Sequence, residues 1–219
     1  SGHVPHPRRP SGKYRILCVM THDMQSRLPS DQRLNRLAEV TRDAAAQVLI
    51  GSKTVGASNA THLEAIGVDL VHVPEFVELL STPGSRFTAP GRVFTPREFR
   101  RAESRAAQKG DGSAAHLATL WALKEATLKA WLSALAHLQV DVPLNEQEMN
   151  WSQITVRHTA SGVSSIKLTG EMEEVFQASL AGLLGPRCGS HLSEEHLTAS
   201  ASHDGLYAVA VVAIRQCCA

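Results

Sequence analysis

Residues 113–137, SAAHLATLWALKEATLKAWLSALAH, form the segment that most strongly constrains the fold. Apolar side chains recur in it every three or four residues, at Leu117, Leu120, Trp121, Leu128, Trp131 and Leu135. This spacing predicts one long helix with a continuous apolar stripe. Because such a stripe must be covered by a second layer, we expect the helix to pack on a sheet formed by the rest of the chain.

The segments on either side of this helix carry shorter strand and helix patterns. The predicted strands are residues 14–20, 66–73, 154–157, 166–168, 196–202 and 206–214. The other predicted helices are residues 31–50, 74–80, 95–109 and 171–184. In the helix at 95–109, Thr95 is a good N-cap, Pro96 suits the first helical position and Glu98 completes a capping box. Turn signals at 160–162 and 203–205 join the late strands into hairpins, so the sequence predicts an α+β fold with a mostly antiparallel sheet.

Two units are predicted along the chain. Residues 1–64 form an N-terminal appendage, partly disordered, with one strand and one helix, and residues 65–216 form the main domain. The boundary rests on composition, since residues 1–12 are basic and rich in Pro and Gly, while residues 51–61 form a polar Gly/Ser linker.

Composition excludes several classes of function. The 219 residues include 22 Lys+Arg and 21 Asp+Glu, and only 5% are aromatic, so neither a generally basic nucleic-acid binder nor an aromatic stacking platform is expected. No apolar run approaches the roughly 20 residues of a membrane span, and the start lacks the features of a signal peptide. None of the four cysteines forms a C-x-x-C pair and no histidines show metal-ligand spacing, which favours a cytoplasmic protein with reduced thiols.

Three charged residues of the long helix stand out from its pattern. Lys124 lies within the apolar stripe, so it must extend to solvent or pair with an anion near the core. Glu125 and Lys129 are four positions apart on the shoulder of the stripe. The simpler interpretation of these two is a surface pair that contributes about 0.2–0.5 kcal/mol. The alternative is a functional pair, because the small residues Ala118 and Ala122 leave room beside it.

Asp69 interrupts an apolar strand, where an isolated carboxylate is costly to bury. It pairs with a lysine, lies at an exposed sheet edge, or joins Glu125 in holding Mg²⁺ against a phosphate substrate, with Lys129 as the adjacent point charge. A third candidate is the stretch SASHD at 200–204. Its hydroxyls and imidazole, in a tight turn, either donate to a phosphate or simply form the turn.

Four motifs occur together in a recognisable order: GVDLV at 67–71, FTPRE at 94–98, WALKEATLKA at 121–130 and SASHD at 200–204. In this order they resemble the motifs of holo-[acyl-carrier-protein] synthase, the short, trimeric class of 4′-phosphopantetheinyl transferases. The resemblance covers roughly residues 65–216, and its most specific part is the KEATLKA block at 124–130.

The resemblance implies that coenzyme A donates its phosphopantetheine arm to a serine of apo acyl carrier protein and that 3′,5′-ADP is released. It implies Asp69 and Glu125 as Mg²⁺ ligands and Lys129 as a contact to the coenzyme A phosphates. Ser202 and His203 would lie near the adenosine 3′-phosphate. A carboxylate such as Glu125, or a metal-bound water, would take the serine proton.

The resemblance also implies a homotrimer with active sites shared between neighbouring subunits. Separately from the motifs, Arg86 is a candidate wall residue of the shared site that contacts the coenzyme. The sequence departs from the family pattern in residues 1–64, which have no counterpart. It departs again at 74–78, where a basic residue often stands, and at 131–134, where a glycine often follows. Two other functions stay open: a metal-dependent phosphohydrolase acting on a nucleotide, and a carrier-binding module without turnover.

Overall fold

The computed structural model describes residues 61–144, 148–158, 163–184 and 196–217. The strands are β1 (Thr61–His72), β2 (Ile154–His158), β3 (Ser164–Leu168), β4 (Leu197–Asp204) and β5 (Tyr207–Cys217). The helices are α1 (Val73–Ser81), α2 (Pro96–Lys109), α3 (Ser113–Leu138) and α4 (Gly170–Leu184), with a short 3₁₀ turn at Trp151–Gln153. The strand and helix predicted at 14–20 and 31–50 lie outside these residues.

The five strands form one antiparallel sheet in the order β1-β5-β4-β3-β2. Strand β5 lies between β1 and β4 and pairs with both of them. The predicted α+β class with a mostly antiparallel sheet is therefore confirmed. Among the described helices, none combines the length and hydropathy that crossing a bilayer requires.

Helix α3 packs across β1 and β5 and supplies much of the core. Its residues Leu123, Ala126, Ala130 and Trp131 are fully buried. The approach to β1 is close because residue 67 is a glycine. A Cβ atom at that position would overlap the carbonyl oxygen of Ala126 and the amide nitrogen of Ala130. The glycine of GVDLV thus lets β1 lie against the helix and brings the next strand residues near its side chains.

Lys124 pairs with an anion near the core, which is one of the two outcomes predicted from its position in the sequence. Its side chain is fully buried, and its ammonium donates to the Glu98 carboxylate at 3.2 Å. It also donates to the carbonyl oxygens of Val93, Trp151 and Ile154 at 2.9, 3.0 and 2.6 Å. Burial lowers the pKa of Lys124, and the carboxylate of Glu98 opposes that shift. Lys124 therefore ties α3 to the start of α2 and to the start of β2.

The capping box predicted at the start of α2 is confirmed. The Thr95 hydroxyl accepts from the amide of Glu98 at 3.2 Å, and the Glu98 carboxylate accepts from the amide of Thr95 at 2.8 Å. The same carboxylate also accepts from the amide of Val156 in β2 at 3.1 Å. Glu98 is therefore both a helix cap and the buried counter-ion of Lys124.

Three local predictions need correction. Strand β1 begins at Thr61, within the segment predicted as linker, and is longer than the predicted strand because residues 61–63 pair with the end of β5. The last hairpin turns at Gly205 and Leu206, so His203 and Asp204 belong to β4 rather than to the turn. Ala118 and Ala122 are fully buried, which means that their small size serves close packing.

Candidate active site

Asp69 and Lys129 form an ion pair across the β1–α3 contact. The Lys129 ammonium lies 2.7 Å from Oδ1 of Asp69, and the two side chains are only 21% and 12% exposed. Burial raises the pKa of Asp69 above its ordinary value, although Lys129 acts in the opposite direction. Of the three interpretations that the sequence left open for Asp69, pairing with a lysine is observed. The pair lies at the position where the magnesium site was predicted.

Glu125 lies one turn before Lys129 on α3 and is half-buried. Residues four apart on a helix share one face, so Glu125 and Lys129 are on the same side of α3. This face therefore carries a carboxylate and an ammonium beside the carboxylate of Asp69. Such a set offers hard oxygen ligands for a cation and a point charge for a phosphate.

A cavity of about 220 Å³ lies where α2 faces the ends of β2, β3 and β4. Arg101, Arg105 and Lys109 line it from successive turns of α2. The rest of its wall consists of Ala102, His116, Thr119, Leu120, His158, Ser164, Ala201, Ser202 and His203. The lining is thus rich in cationic and hydroxyl groups, which suits an anion.

The electrostatics of the cavity point the same way. Burial, together with the charges of Arg101 and Arg105, lowers the pKa of His158 to about 4. Burial and the nearby Arg105 and Arg97 also lower the pKa of Arg101. The buried Nε of Arg101 and Nδ1 of His158 find no hydrogen-bond partner among the described residues. The positive charges that line this cavity are therefore only partly compensated, and a bound anion would reduce the repulsion between them.

Ser202 and His203, both predicted near a phosphate, line this cavity from the end of β4. His203 contacts α3 through Thr119, at 2.9 Å between Nδ1 and the hydroxyl oxygen. Thr119 and Lys129 are ten residues apart on α3, or about 15 Å along the helix axis. The predicted residues therefore form two groups along one helix, Asp69 with Glu125 and Lys129 at one place and Ser202 with His203 at the other.

Arg86, the predicted wall residue, lies elsewhere. Its guanidinium stacks over three aromatic rings, 5.2 Å from Phe87, 5.0 Å from Trp121 and 5.8 Å from Trp151. It is not among the residues that line the cavity. Its assignment to the coenzyme site stays a prediction.

Two features of the site were missed from the sequence. The first is the row Arg101, Arg105 and Lys109, whose four-residue spacing on a predicted helix was a usable signal. The second is a group formed by Asp111, His116 and His203, whose ligand atoms all lie within 4.8 Å of one another. Asp111 and His116 are five residues apart, but His203 comes from a distant strand, so no spacing rule along the chain could have found the complete group.

Known proteins define the class to which this fold and site belong. The family model of the 4′-phosphopantetheinyl transferase superfamily matches residues 65–199, so the chain belongs to that superfamily. Within it, the chain is 36% identical over 152 residues to the holo-[acyl-carrier-protein] synthase of Bifidobacterium adolescentis, covering 67% of this chain and 95% of that protein. It is 38% identical over 146 residues to the corresponding synthase of Corynebacterium glutamicum, covering 67% and 93%.

Solved structures agree with these relatives. The complex of the Chronobacterium ammoniagenes synthase with coenzyme A matches with a TM-score of 0.55 and 35% identity, covering 69% of this chain and 96% of that chain. The apo structure of the same protein matches with a TM-score of 0.55 and 34% identity, covering 72% and 98%. The resemblance to holo-[acyl-carrier-protein] synthase is therefore confirmed, and the chain is a 4′-phosphopantetheinyl transferase.

Proposed function

We propose that this transferase moves the 4′-phosphopantetheine arm of coenzyme A to a serine of an apo acyl carrier protein, requires Mg²⁺ and releases 3′,5′-ADP. The observation that carries the proposal is the partly buried Asp69–Lys129 pair, 2.7 Å apart, on the face of α3 that also bears Glu125. A related synthase of 35% identity has been solved with coenzyme A, which supports this coenzyme as the donor.

The residues around Asp69 fit a magnesium ion. Burial raises the pKa of Asp69, so a second cation beside it would further relieve the cost of its charge. Asp69 and Glu125 would hold the ion, since Mg²⁺ is usually bound through one or two carboxylates, with waters and substrate phosphates completing its shell. When bound, the ion would supply neutralisation of charge on the coenzyme pyrophosphate.

The remaining steps belong to side chains of this enzyme. The serine oxygen of the carrier attacks the β-phosphorus of coenzyme A, and the bond from that phosphorus to the oxygen bridging the two phosphates breaks. 3′,5′-ADP leaves with the electron pair of that bond. Glu125 takes the serine proton, and the ammonium of Lys129 stabilises the charge that develops on the leaving group. Catalysis is then mainly positioning and charge stabilisation.

We assign the 3′-phosphate of the coenzyme to the cationic cavity. Arg101, Arg105 and Lys109 supply charge from α2, while Ser202 and His203 supply the facing wall. Replacing Arg105 by Met should weaken binding of coenzyme A at least tenfold and leave dephospho-coenzyme A nearly unaffected, because only the former carries the 3′-phosphate. Calorimetric titration with both ligands measures this difference. Equal losses would remove the assignment.

The decisive experiment is the intact mass of an apo carrier protein after incubation with the enzyme, coenzyme A and Mg²⁺. A gain of one phosphopantetheine is expected, and chelation of the metal should prevent it. Coenzyme A hydrolysis without carrier would favour a phosphohydrolase, whereas coenzyme binding with no mass gain would favour a binding module.

Two variants connect that activity to the site. Asp69→Asn and Glu125→Gln should each lower the rate at least a hundredfold, since loss of a catalytic metal ligand removes several kcal/mol of transition-state stabilisation. Glu103→Gln is the matched control, because Glu103 is an exposed carboxylate of α2. A near-normal rate in Asp69→Asn would contradict the metal assignment.

We also propose a homotrimer with shared active sites. Ile66 and Val68 on β1 are each 39% exposed on the sheet face turned away from α3, and this apolar surface is suited to contact with a second copy. Light scattering should give three times the monomer mass. Mixing inactive Glu125→Ala with inactive Arg86→Ala subunits should restore part of the activity, and a fully active monomer would exclude the arrangement.

A further inference from the structure

Asp111, His116 and His203 meet at the end of the cationic cavity. Nε2 of His116 lies 2.8 Å from Oδ1 of Asp111, and Nε2 of His203 lies 3.3 Å from Oδ2. The two imidazole rings are 4.7 Å apart and nearly perpendicular. The three side chains come from the α2–α3 connection, the first turn of α3 and the end of β4. Two imidazoles and one carboxylate thus converge on one point from three elements.

The protons of this group can be assigned from Thr119. Its hydroxyl donates to the carbonyl oxygen of Ala115 at 2.8 Å. Because a hydroxyl has only one proton, the contact of 2.9 Å to His203 must be a hydrogen bond from Nδ1–H to the threonine oxygen. In a neutral ring, Nε2 of His203 then carries a lone pair and faces a carboxylate oxygen of Asp111. A cation between Nε2 of His203 and Oδ2 of Asp111 would interact favourably with the lone pairs of both atoms.

The three side chains supply donor atoms that transition metal ions take from proteins: a ring nitrogen from each of His116 and His203 and a carboxylate oxygen from Asp111. A neutral imidazole and an ionised carboxylate are the forms in which these side chains bind metal ions.

We propose that Asp111, His116 and His203 form a site for a divalent transition metal ion of the zinc class, separate from the proposed magnesium site. Two imidazole nitrogens and one carboxylate oxygen favour zinc over magnesium, which prefers oxygen ligands alone. Thr119 orients His203 through its second ring nitrogen, as outer-shell partners do in known metal sites. The three ligand atoms lie within 4.8 Å of one another, so small side-chain rotations bring them to the ~2.0–2.2 Å bonds of zinc.

The surroundings fix where the ion would lie and what else it would bind. His116 and His203 both line the cavity, so an ion held by them sits in its wall. Three protein ligands leave a coordination position open, and an anion in the cavity is suited to fill it. The cationic side chains of α2, including nearby Lys109, oppose a free cation, which makes the charge of Asp111 essential to the site.

Titration of the full chain with Co²⁺ tests the site, because a tetrahedral cobalt ion has a visible absorption band and substitutes for zinc. One equivalent should produce the band, an excess of Mg²⁺ should leave it, and Zn²⁺ should remove it. His116→Gln and Asp111→Asn should each weaken binding more than about a hundredfold, and Thr119→Val about tenfold. His137→Gln, an exposed histidine near the end of α3, is the matched control and should bind normally.

Two measurements keep the result unambiguous. Asp111 is exposed, so its asparagine variant retains the fold, and circular dichroism with thermal unfolding should verify this. Zn²⁺ should raise the unfolding temperature of the wild-type chain but not that of Asp111→Asn. The proposal is overturned by equal cobalt binding in wild type and both ligand variants, by a thiolate charge-transfer band pointing to the cysteines, or by no binding at millimolar cobalt. None of these outcomes depends on the transferase reaction.

Discussion

Replacing Lys124 by Met should destabilise the enzyme strongly. Methionine keeps most of the aliphatic packing but removes the ammonium that donates to Glu98 and to three carbonyl oxygens. The Glu98 side chain is only 2% exposed, so its carboxylate would be left buried without a counter-ion. Breaking a buried ion pair in this way costs about 3–5 kcal/mol. Since domains are stable by only about 5–15 kcal/mol, the variant should be close to unfolding.

Urea unfolding followed by tryptophan fluorescence measures this loss. Lys167→Met in β3 is the control for a lysine-to-methionine change outside the core pair, and it should alter the unfolding free energy by less than about 0.5 kcal/mol. The double variant Lys124→Met/Glu98→Gln removes the stranded charge and should recover at least about 1 kcal/mol relative to Lys124→Met. A loss below about 1 kcal/mol in Lys124→Met, or no recovery in the double variant, would refute the assigned role of the ion pair.

Three further predictions concern Gly67, His158 and Lys129. Gly67→Ala should cost about 1–3 kcal/mol or more and lower carrier priming, because its Cβ would collide with the carbonyl of Ala126; Gly112→Ala, which has open space, is the control. His158 has a pKa of about 4 against an ordinary 6.5, so the unfolded chain binds more protons between these values and stability falls as pH falls through them. Partial exposure reduces the effect to about 1–2 kcal/mol, and pH-dependent unfolding of His158→Gln should lack it. Lys129→Ala should weaken coenzyme A and dephospho-coenzyme A equally if Lys129 meets the pyrophosphate, and a loss confined to coenzyme A would move it to the 3′-phosphate.

Local signals in the sequence were sufficient for the elements and for some of the site. The capping box of Thr95 and Glu98 spans four residues, so its geometry follows from the sequence itself. Asp69 and Lys124 stood out because each is a charge inside an apolar pattern. The sequence could not choose their partners, however, since Lys129 and Glu98 lie on other elements and meet them only through the packing of α3.

The parts of the site that escaped prediction are those built from long-range contacts. The turn signal HDG at 203–205 predicts His203 in a turn, whereas the pairing of Asp204 with Tyr207 places the turn at the next two residues. The contact of His203 with Thr119 joins residues that are 84 positions apart. The cavity likewise depends on how α2 lies against three strands, which no pattern along the chain encodes.

The two sides of β4 are paired to very different extents, and this difference affects which part of the sheet unfolds locally first. Strand β4 pairs with β5 along its whole length, but it meets β3 at the single register pair of Ser165 with Thr198. The β2–β3 hairpin should therefore exchange its amide protons as a separate cooperative unit, faster than the three strands on the other side. His158 and Ser164 line the cavity from the β2–β3 hairpin, whereas Ser202 lines it from β4. An anion held in the cavity would therefore contact both units and slow the amide exchange of the hairpin.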